Sequence, residues 1–309
     1  MSALLLLVVL AVAGAPLALR VCGPRAEVVA LAPLLGAGYL AAAALVEVAV
    51  GGPPFALAGS ALTVGALAPL TTVRKVRAGF AVAPRDGLLL TAPVLVLGWV
   101  LTTLERVQVS YDGRSIWLFH ARMLAGGRQL FLAQAHLFAF SHPDYPPLVP
   151  AAVALGWRVA GATELVIGAL TACATLLAGL AVARALGSTG RLAPAAAALC
   201  VGVLYGVWGQ YASNGFVDPL CAALVLAAAV SGLLGAPGEA PLALTLVALA
   251  AVTKNEGLVF GLVVHGGPSL AGGARSRPPA PTRCRRTPSC SPWACPGRSS
   301  CGRTASAAT

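Results

Sequence analysis

Long apolar stretches recur along most of this chain, and they constrain its fold more than any other feature. A helix that crosses the hydrocarbon core of a bilayer needs roughly 20 predominantly apolar residues. Eight segments fit that description: 3–19, 27–50, 55–73, 87–104, 163–183, 193–212, 217–235 and 241–264. The sequence therefore predicts an all-α, polytopic transmembrane bundle of about eight spans that is surrounded by membrane lipids.

The composition excludes the common soluble classes. Of the 309 residues, 58% are hydrophobic and only 10% are charged, whereas soluble domains carry about 25% charged residues. A soluble enzyme and an intrinsically disordered chain are both excluded for most of the length. The net charge of +11 divides unevenly: residues 266–309 hold seven Arg and no acidic residue, and residues 1–265 carry the remaining +4. The charge therefore does not indicate a nucleic-acid partner.

The basic residues of the short connections predict an orientation, because Lys and Arg are enriched in cytoplasmic loops. They fall on one side if the N-terminus lies outside: Arg20, Arg25, Arg74, Lys75, Arg77, Arg85, Arg184 and Arg191. Arg outnumbers Lys 19 to 2 and Ala is abundant, which suggests a GC-rich bacterial genome. We therefore expect a multi-pass protein of the bacterial plasma membrane whose one long polar loop, 105–147, is extracytoplasmic.

That loop is rich in aromatic residues, so disorder is not expected there. Within it, the stretch DGRSIWLFHARMLA at 112–125 has apolar residues at helical spacing and precedes two glycines. It predicts a helix that lies in the membrane interface, and the alternative is a helix that only caps the bundle. The apolar stretch 148–160 is too short to span and contains Arg158, so it is interpreted as interfacial or re-entrant. These segments divide the chain into domains at 1–104, 105–162 and 163–265.

Charged residues in the later spans indicate a site on the same outer side. Asp218 stands at the outer entrance of the seventh span, and Lys254 and Glu256 lie inside the eighth. Charges within a span are costly and by default face a cavity or a partner. Two interpretations remain open: Lys254 pairs with Asp218 or Glu256 to hold helices together, or these residues line a cavity that opens outward with Asp112 and Asp144.

Three patterns between roughly 105 and 265 belong together: Tyr111-Asp112 before the amphipathic helix, HPDYPPL at 142–148, and TELVIGALTACATLLAGLAVARALG at 163–187. In their order and spacing the chain resembles the GT-C membrane glycosyltransferases that use polyprenyl-phosphate sugars, the group of protein O-mannosyltransferases and lipid A aminoarabinose transferases. Family members often carry a second acid after the first, and here that position is Gly113. The resemblance implies hexosyl or pentosyl transfer from a polyprenyl-phosphate donor to an extracytoplasmic glycan, lipid or protein.

The resemblance also implies roles for individual residues. Asp112 is the expected catalytic base, because sugar transfer requires a group that takes the proton of the acceptor. The departing phosphate requires positive charge or polarised donors, and Arg114, His142 and Lys254 are the candidates.

Four further residues complete the expected substrate-binding set. Tyr145 is expected to pack against the sugar or its carrier, and Asp218 and Glu256 to face the site. The role of Asp144 stays open between base, acceptor ligand and metal ligand. No cofactor and no metal site are expected, although a divalent metal would be compatible with this set.

Residues 266–309 differ abruptly from the rest, with Arg, Pro, Ser and Cys in place of apolar periodicity. Such a segment is predicted to be disordered, and its cysteines lack the spacing of a zinc site. We interpret this basic tail as the product of out-of-frame translation that truncates a longer transferase. The alternatives for the whole chain are an inactive truncated copy, a secondary transporter, or a non-catalytic integral membrane protein.

Overall fold

The computed structural model describes residues 2–51, 84–103, 109–133, 136, 141–161, 165–186, 192–235 and 238–271. All regular secondary structure within these residues is helical, which confirms the predicted all-α class. The α-helices are α1 (Ser2–Cys22), α2 (Glu27–Val50), α3 (Pro84–Thr103), α4 (Phe119–Ala125), α5 (Gly127–Ala133), α6 (Leu148–Ala160), α7 (Val166–Ala185), α8 (Leu192–Ser213), α9 (Asp218–Ala229), α10 (Ala240–Ala251) and α11 (Asn255–Ala271). Two π-helical segments, Gly113–Leu118 and Val230–Leu234, precede α4 and extend α9.

Four of the described helices, α1, α2, α7 and α8, are long and apolar enough to cross a membrane. The apolar helices α6, α9 and α10 are shorter. The coarse prediction of membrane-type helices is thus confirmed, whereas the predicted number of about eight spans is not. The predicted span at 55–73 lies outside the described residues. Of the predicted disordered tail, 266–309, residues 266–271 are helical and belong to α11, and residues 272–309 lie outside the described residues.

Helix α7 is the centre of the bundle. In α7, 78% of the span is buried inside the protein, against 28% for α8. Helix α7 packs against α2, α8 and α9, and α8 also contacts α3. The outer face of α8 exposes Leu199, Val203 and Val207, as is typical of a helix that faces lipid.

Helices α1 and α2 pack backbone to backbone. A Cβ atom on Gly14 would lie 2.0 Å from the Ala32 carbonyl oxygen, and one on Gly36 would lie 1.9 Å from the Leu10 carbonyl oxygen. Small residues at such crossings allow membrane helices to approach closely, and van der Waals contact then stabilises the pair. Helices α1 and α2 thus form a closely packed hairpin.

The short helix α6 lies inside the protein. Its residues 148–156 are all buried, and its neighbours are α1, α2, α4 and α7. At its exposed end, Arg158 Nη2 donates to the Ala125 carbonyl oxygen over 2.8 Å and so caps α4. Its apolar face is thus covered by protein, and its 13 residues brace the polar loop that precedes it.

The predicted eighth span, 241–264, is not one helix. The chain breaks between α10 and α11, and Lys254 lies in the break. Thr253 Oγ1 donates to the Leu249 carbonyl oxygen over 2.6 Å, a back-bond that bends helices. Gly257 permits the turn, since a Cβ atom there would lie 2.2 Å from the Ala250 carbonyl oxygen. Helix α11 then runs to Ala271, beyond the predicted domain end at 265.

Ion pairs join three chain segments at the end of the bundle opposite this break. Arg184 binds Glu27 through Nε and through Nη2, which lies 2.8 Å from Oε2. Arg25 binds Glu239 nearby. The α1–α2 connection is thereby tied to the end of α7 and to the start of α10.

We expect Arg184→Ala to lower the free energy of unfolding by about 3–5 kcal/mol, because it leaves a buried carboxylate without its guanidinium. The side chain of Glu27 is only 2% exposed, whereas that of Glu239 is 16% exposed. Arg25→Ala, the matched control, should therefore cost less. Unfolding of the detergent-solubilised variants measures both losses, and equal losses would contradict the prediction.

Candidate functional site

The loop helix that carries Asp112 is amphipathic, as the sequence predicts. Residues 113–125 are helical, and they bury Ile116, Met123 and Leu124 while Arg122 is exposed. The first part, Gly113–Leu118, is π-helical, a geometry that is frequent at functional sites. The structure thus confirms a helix here, but its first part is a π-helix, which is wider than an α-helix.

Asp112 and Arg114 both lie at the exposed start of this helix. Arg114 Nε donates to the Val109 carbonyl oxygen over 2.9 Å. Ser110 N–H donates to the Asn214 carbonyl oxygen over 2.8 Å. The segment that bears Asp112 is therefore joined to the turn that leads into α9 and Asp218.

Three aromatic rings stack where the loop 141–147 crosses this helix. The Tyr145 ring is stacked with Trp117 at a centroid distance of 5.3 Å and with His142 at 4.9 Å. Ser141 Oγ donates to the Ser115 carbonyl oxygen. These contacts hold Tyr145 between the helix and the rest of the loop.

Lys254, in the break between α10 and α11, is the centre of a charged cluster. Its Nζ lies 2.7 Å from Asp218 Oδ1 and 3.4 Å from Glu256 Oε1. It also lies over the Tyr145 ring, 5.7 Å from the centroid, within the range of a cation–π contact. The next residue, Asn255, donates through Nδ2 to Asp144 Oδ2 over 2.7 Å.

The cluster of Lys254, Asp218, Glu256, Asp144, Tyr145 and His142 thus assembles six of the predicted site residues from three distant parts of the chain. Asp112 and Arg114 belong to the adjoining segment. The ion pairs of Lys254 with Asp218 and Glu256 agree with its interpretation as a residue that joins helices. The same contacts also place it at an accessible surface, because the side chains of Asp218 and Glu256 are about half exposed, at 56% and 50%.

The charges of the cluster do not balance. Lys254 is the cation among three carboxylates, those of Asp144, Asp218 and Glu256. Burial raises the pKa of the Tyr145 phenol, so this hydroxyl is a protonated hydrogen-bond donor at neutral pH. Among the described residues, no group of three or more His, Cys, Asp and Glu side chains is arranged to hold a metal ion.

An apolar cavity adjoins the cluster and shares Tyr145 with it. Its volume is about 360 Å³, and it opens between α2, the loop helix and the start of α6; its walls are Leu45, His120, Leu124, Phe131, Pro143, Tyr145, Pro147 and Pro150. Binding pockets combine apolar walls with a few polar groups that orient the ligand. This site has that composition, with its charged groups on one side of Tyr145.

His120, in the wall of this cavity, predicts a pH dependence. Burial lowers its pKa from the usual 6.5; the neighbouring His142 acts in the same direction, and a hydrogen bond with the Ser141 backbone opposes both. The unfolded chain therefore binds more protons than the folded one between the lowered pKa and 6.5. The free energy of unfolding is therefore not reduced by His120 above pH 6.5, and it decreases as the pH falls from 6.5 towards the lowered pKa.

We expect His120→Gln to remove a pH slope of at most about 1.4 kcal/mol per pH unit. Thermal unfolding of the wild type and the variant between about pH 8 and about pH 5 measures it. His136→Gln, which removes an exposed histidine, should leave the slope unchanged. A wild-type slope that survives in His120→Gln would contradict the assignment.

Sequence reasoning missed two partners of the site. Trp117 falls on the buried face of the loop helix, where an aromatic residue is indistinguishable from core. Asn255 stands beside Lys254 in VTKNEGL, and its adjacency to a charged residue in an apolar stretch was the available signal. Sequence reasoning also missed Glu27, whose buried carboxylate binds Arg184 at the end of the bundle opposite the Lys254 cluster.

Fold and site together define a helical protein of membrane type with a polar cluster at one end of its bundle. No protein-family model matches the chain, and no curated protein or solved structure matches it either.

Proposed function

We propose that this protein is a membrane glycosyltransferase that moves a sugar from a polyprenyl-phosphate donor to an acceptor outside the cytoplasm. One observation carries the proposal. The Lys254 cluster and the aromatic stack border an apolar cavity of about 360 Å³, so charged, aromatic and apolar surfaces converge at Tyr145. A polyprenyl-phosphate sugar offers the matching parts: a phosphate, a sugar ring and a hydrocarbon chain.

The proposed reaction breaks the bond between the anomeric carbon and the phosphate oxygen and forms one to the acceptor oxygen. Asp112 takes the proton of the acceptor hydroxyl, as a general base. The polyprenyl phosphate departs with the electron pair, and Lys254 stabilises its developing charge. Lys254 exchanges Asp218 and Glu256 for the phosphate when the donor binds.

The remaining candidates surround these groups. His142 and Arg114 supply further donors to the phosphate, and Tyr145 packs against the sugar or the carrier. Asp144, held by Asn255 at 2.7 Å, faces the acceptor side in this scheme. The part of the carrier chain nearest the phosphate occupies the cavity that Leu45, Leu124 and Phe131 line.

We propose that the site faces the outside of a bacterial plasma membrane. The ion pairs Arg25–Glu239 and Arg184–Glu27 bring together arginines from connections that the positive-inside rule assigns to the cytoplasm. Lys254 follows the end of α10, whereas Glu239 precedes its start, so the Lys254 cluster and the Arg25–Glu239 pair lie at opposite ends of α10. The exposed acids are thus separated from the arginine-bearing connections.

The proposal is tested with membranes that contain the protein and a radiolabelled polyprenyl-phosphate sugar. We expect time-dependent transfer of label to a lipid, glycan or protein fraction, above that of membranes without the protein. If neither a hexosyl nor a pentosyl donor supports transfer, the proposal is wrong. Absence of transfer is the result expected of a purely structural membrane protein.

A secondary transporter is the second candidate, and the break between α10 and α11 favours it. Transporter sites are commonly built on discontinuous helices, and Lys254 with Asp218 would suit a coupling ion. Proton- or sodium-dependent uptake into proteoliposomes without sugar transfer would support this candidate over the transferase.

A further inference from the structure

The turn between α8 and α9 fits tightly against the segment that carries Asp112. The Asn214 carbonyl oxygen accepts the Ser110 N–H over 2.8 Å. Ser110 Oγ in turn accepts the Gly113 N–H over 3.0 Å. Two successive hydrogen bonds therefore link the turn to the start of the loop helix.

Two glycines make this contact possible. Gly215 has φ +90°, and a Cβ atom there would lie 3.1 Å from Gly113 Cα. A Cβ atom on Gly113 would lie 2.9 Å from the Asn214 carbonyl oxygen and 2.7 Å from Val109 Cγ1. The two backbones are thus closer than any side chain permits, and this explains why position 113 is glycine.

The geometry points to Gly215 as a positioning residue for Asp112. Gly113 follows Asp112 directly, and Gly215 lies in the turn that leads to Asp218, the partner of Lys254. The glycine contact therefore sets the place of the proposed base relative to the charged cluster. The catalytic part of this inference rests on the proposed transferase function, whereas the positioning part does not.

A Cβ atom at Gly215 would lie 3.1 Å from Gly113 Cα and 3.3 Å from Val109 Cγ1, so the segment that carries Asp112 must shift by a few tenths of an ångström. Misplacement of a reacting group by about 1 Å can cost about 100-fold in rate, so a shift of a few tenths of an ångström should cost about fivefold. We therefore expect Gly215→Ala to lower kcat by about fivefold and to change KM for the donor less, because Arg114 is the one proposed phosphate contact in the shifted segment.

The matched control is Gly238→Ala. Gly238 also has a positive φ, +106°, and also precedes a helix, but a Cβ atom there has no neighbour within 4 Å. Alanine introduces the same kind of backbone strain at both positions. A difference in kcat between the two variants therefore reports the contact of residue 215 with Gly113. Equal kcat losses in the two variants would overturn the inference.

A cross-linking measurement tests the positioning without any activity. The hydrogen bond of 2.8 Å between the Ser110 N–H and the Asn214 carbonyl oxygen keeps the two Cα atoms within about 6 Å, inside the range of about 4.4–6.8 Å that a disulfide needs. The Ser110→Cys/Asn214→Cys variant can therefore form one. We expect oxidation to the disulfide to be slower in the Gly215→Ala background, because the shift moves the two Cα atoms out of their present register, and to be unaffected by Gly238→Ala. Single-cysteine variants control for the protein's own eight cysteines.

The two readouts separate the inference from the proposed function. If the wild type transfers no sugar but Gly215→Ala still slows the cross-link, the transferase proposal fails and the positioning contact stands. If the cross-link forms equally fast with glycine and with alanine at position 215, the positioning inference is wrong, whatever the activity.

Discussion

Replacing Asp112 with alanine is expected to lower sugar transfer by about 10²–10⁴-fold, the contribution of a general base. Asp112 is exposed at the start of the loop helix, and its loss opens no cavity in the core. The variant should therefore fold and bind the donor as the wild type does. Initial rates with a labelled polyprenyl-phosphate sugar, together with KM for the donor, measure the effect.

Arg122→Ala is the control for loss of one exposed charge on the same helix. Arg122 lies on the exposed face of α4, and transfer should stay within about twofold, as is usual for surface substitutions. A folded Asp112→Ala protein with normal transfer would remove Asp112 from the mechanism. The base would then be sought among Asp144 and Asp218.

Replacing Gly36 with leucine is expected to produce a large loss of stability. Even a Cβ atom at this position overlaps the Leu10 carbonyl oxygen at 1.9 Å, so α1 and α2 must separate. Overpacking typically costs 1–3 kcal/mol, and we expect about 3 kcal/mol here because the obstacle is backbone. Thermal unfolding in detergent measures the change.

Gly98→Ala serves as the control for this substitution. Gly98 lies in α3 with no atom within 4 Å of the position of its Cβ. Alanine favours a helix over glycine by about 1 kcal/mol, so this variant should equal or exceed the wild type in stability. A Gly36→Leu protein as stable as Gly98→Ala would show that α1 and α2 do not depend on their backbone contact.

Much of the helical framework was predictable, because long apolar runs have few other solutions than helices in lipid. The boundaries of α2 and α7 lie within a few residues of the predicted 27–50 and 163–183. The loop helix at 112–125 was predicted from its period, since buried and exposed residues alternate every three to four positions. In each case the information is local.

The break at Lys254 was not predictable in the same way. Apolar residues flank the break on both sides, so the mean hydropathy of a window as long as a membrane span conceals it. The break depends on the close approach of Gly257 to Ala250 and on the back-bond of Thr253. The Tyr145 stack likewise joins residues that are remote in sequence, and no periodicity reports such pairs.

The sequence by itself determined that the chain is a bundle of apolar helices with one polar loop, because hydrophobicity and its period are properties of neighbouring residues. It also singled out the acids and the lysine of the site, since charges are costly in apolar segments. Only the tertiary structure decided that Lys254 pairs with Asp218, that Asn255 holds Asp144, and that Gly113 lies against Gly215. These contacts join remote segments, and which of them meet depends on how helices pack rather than on how each one forms.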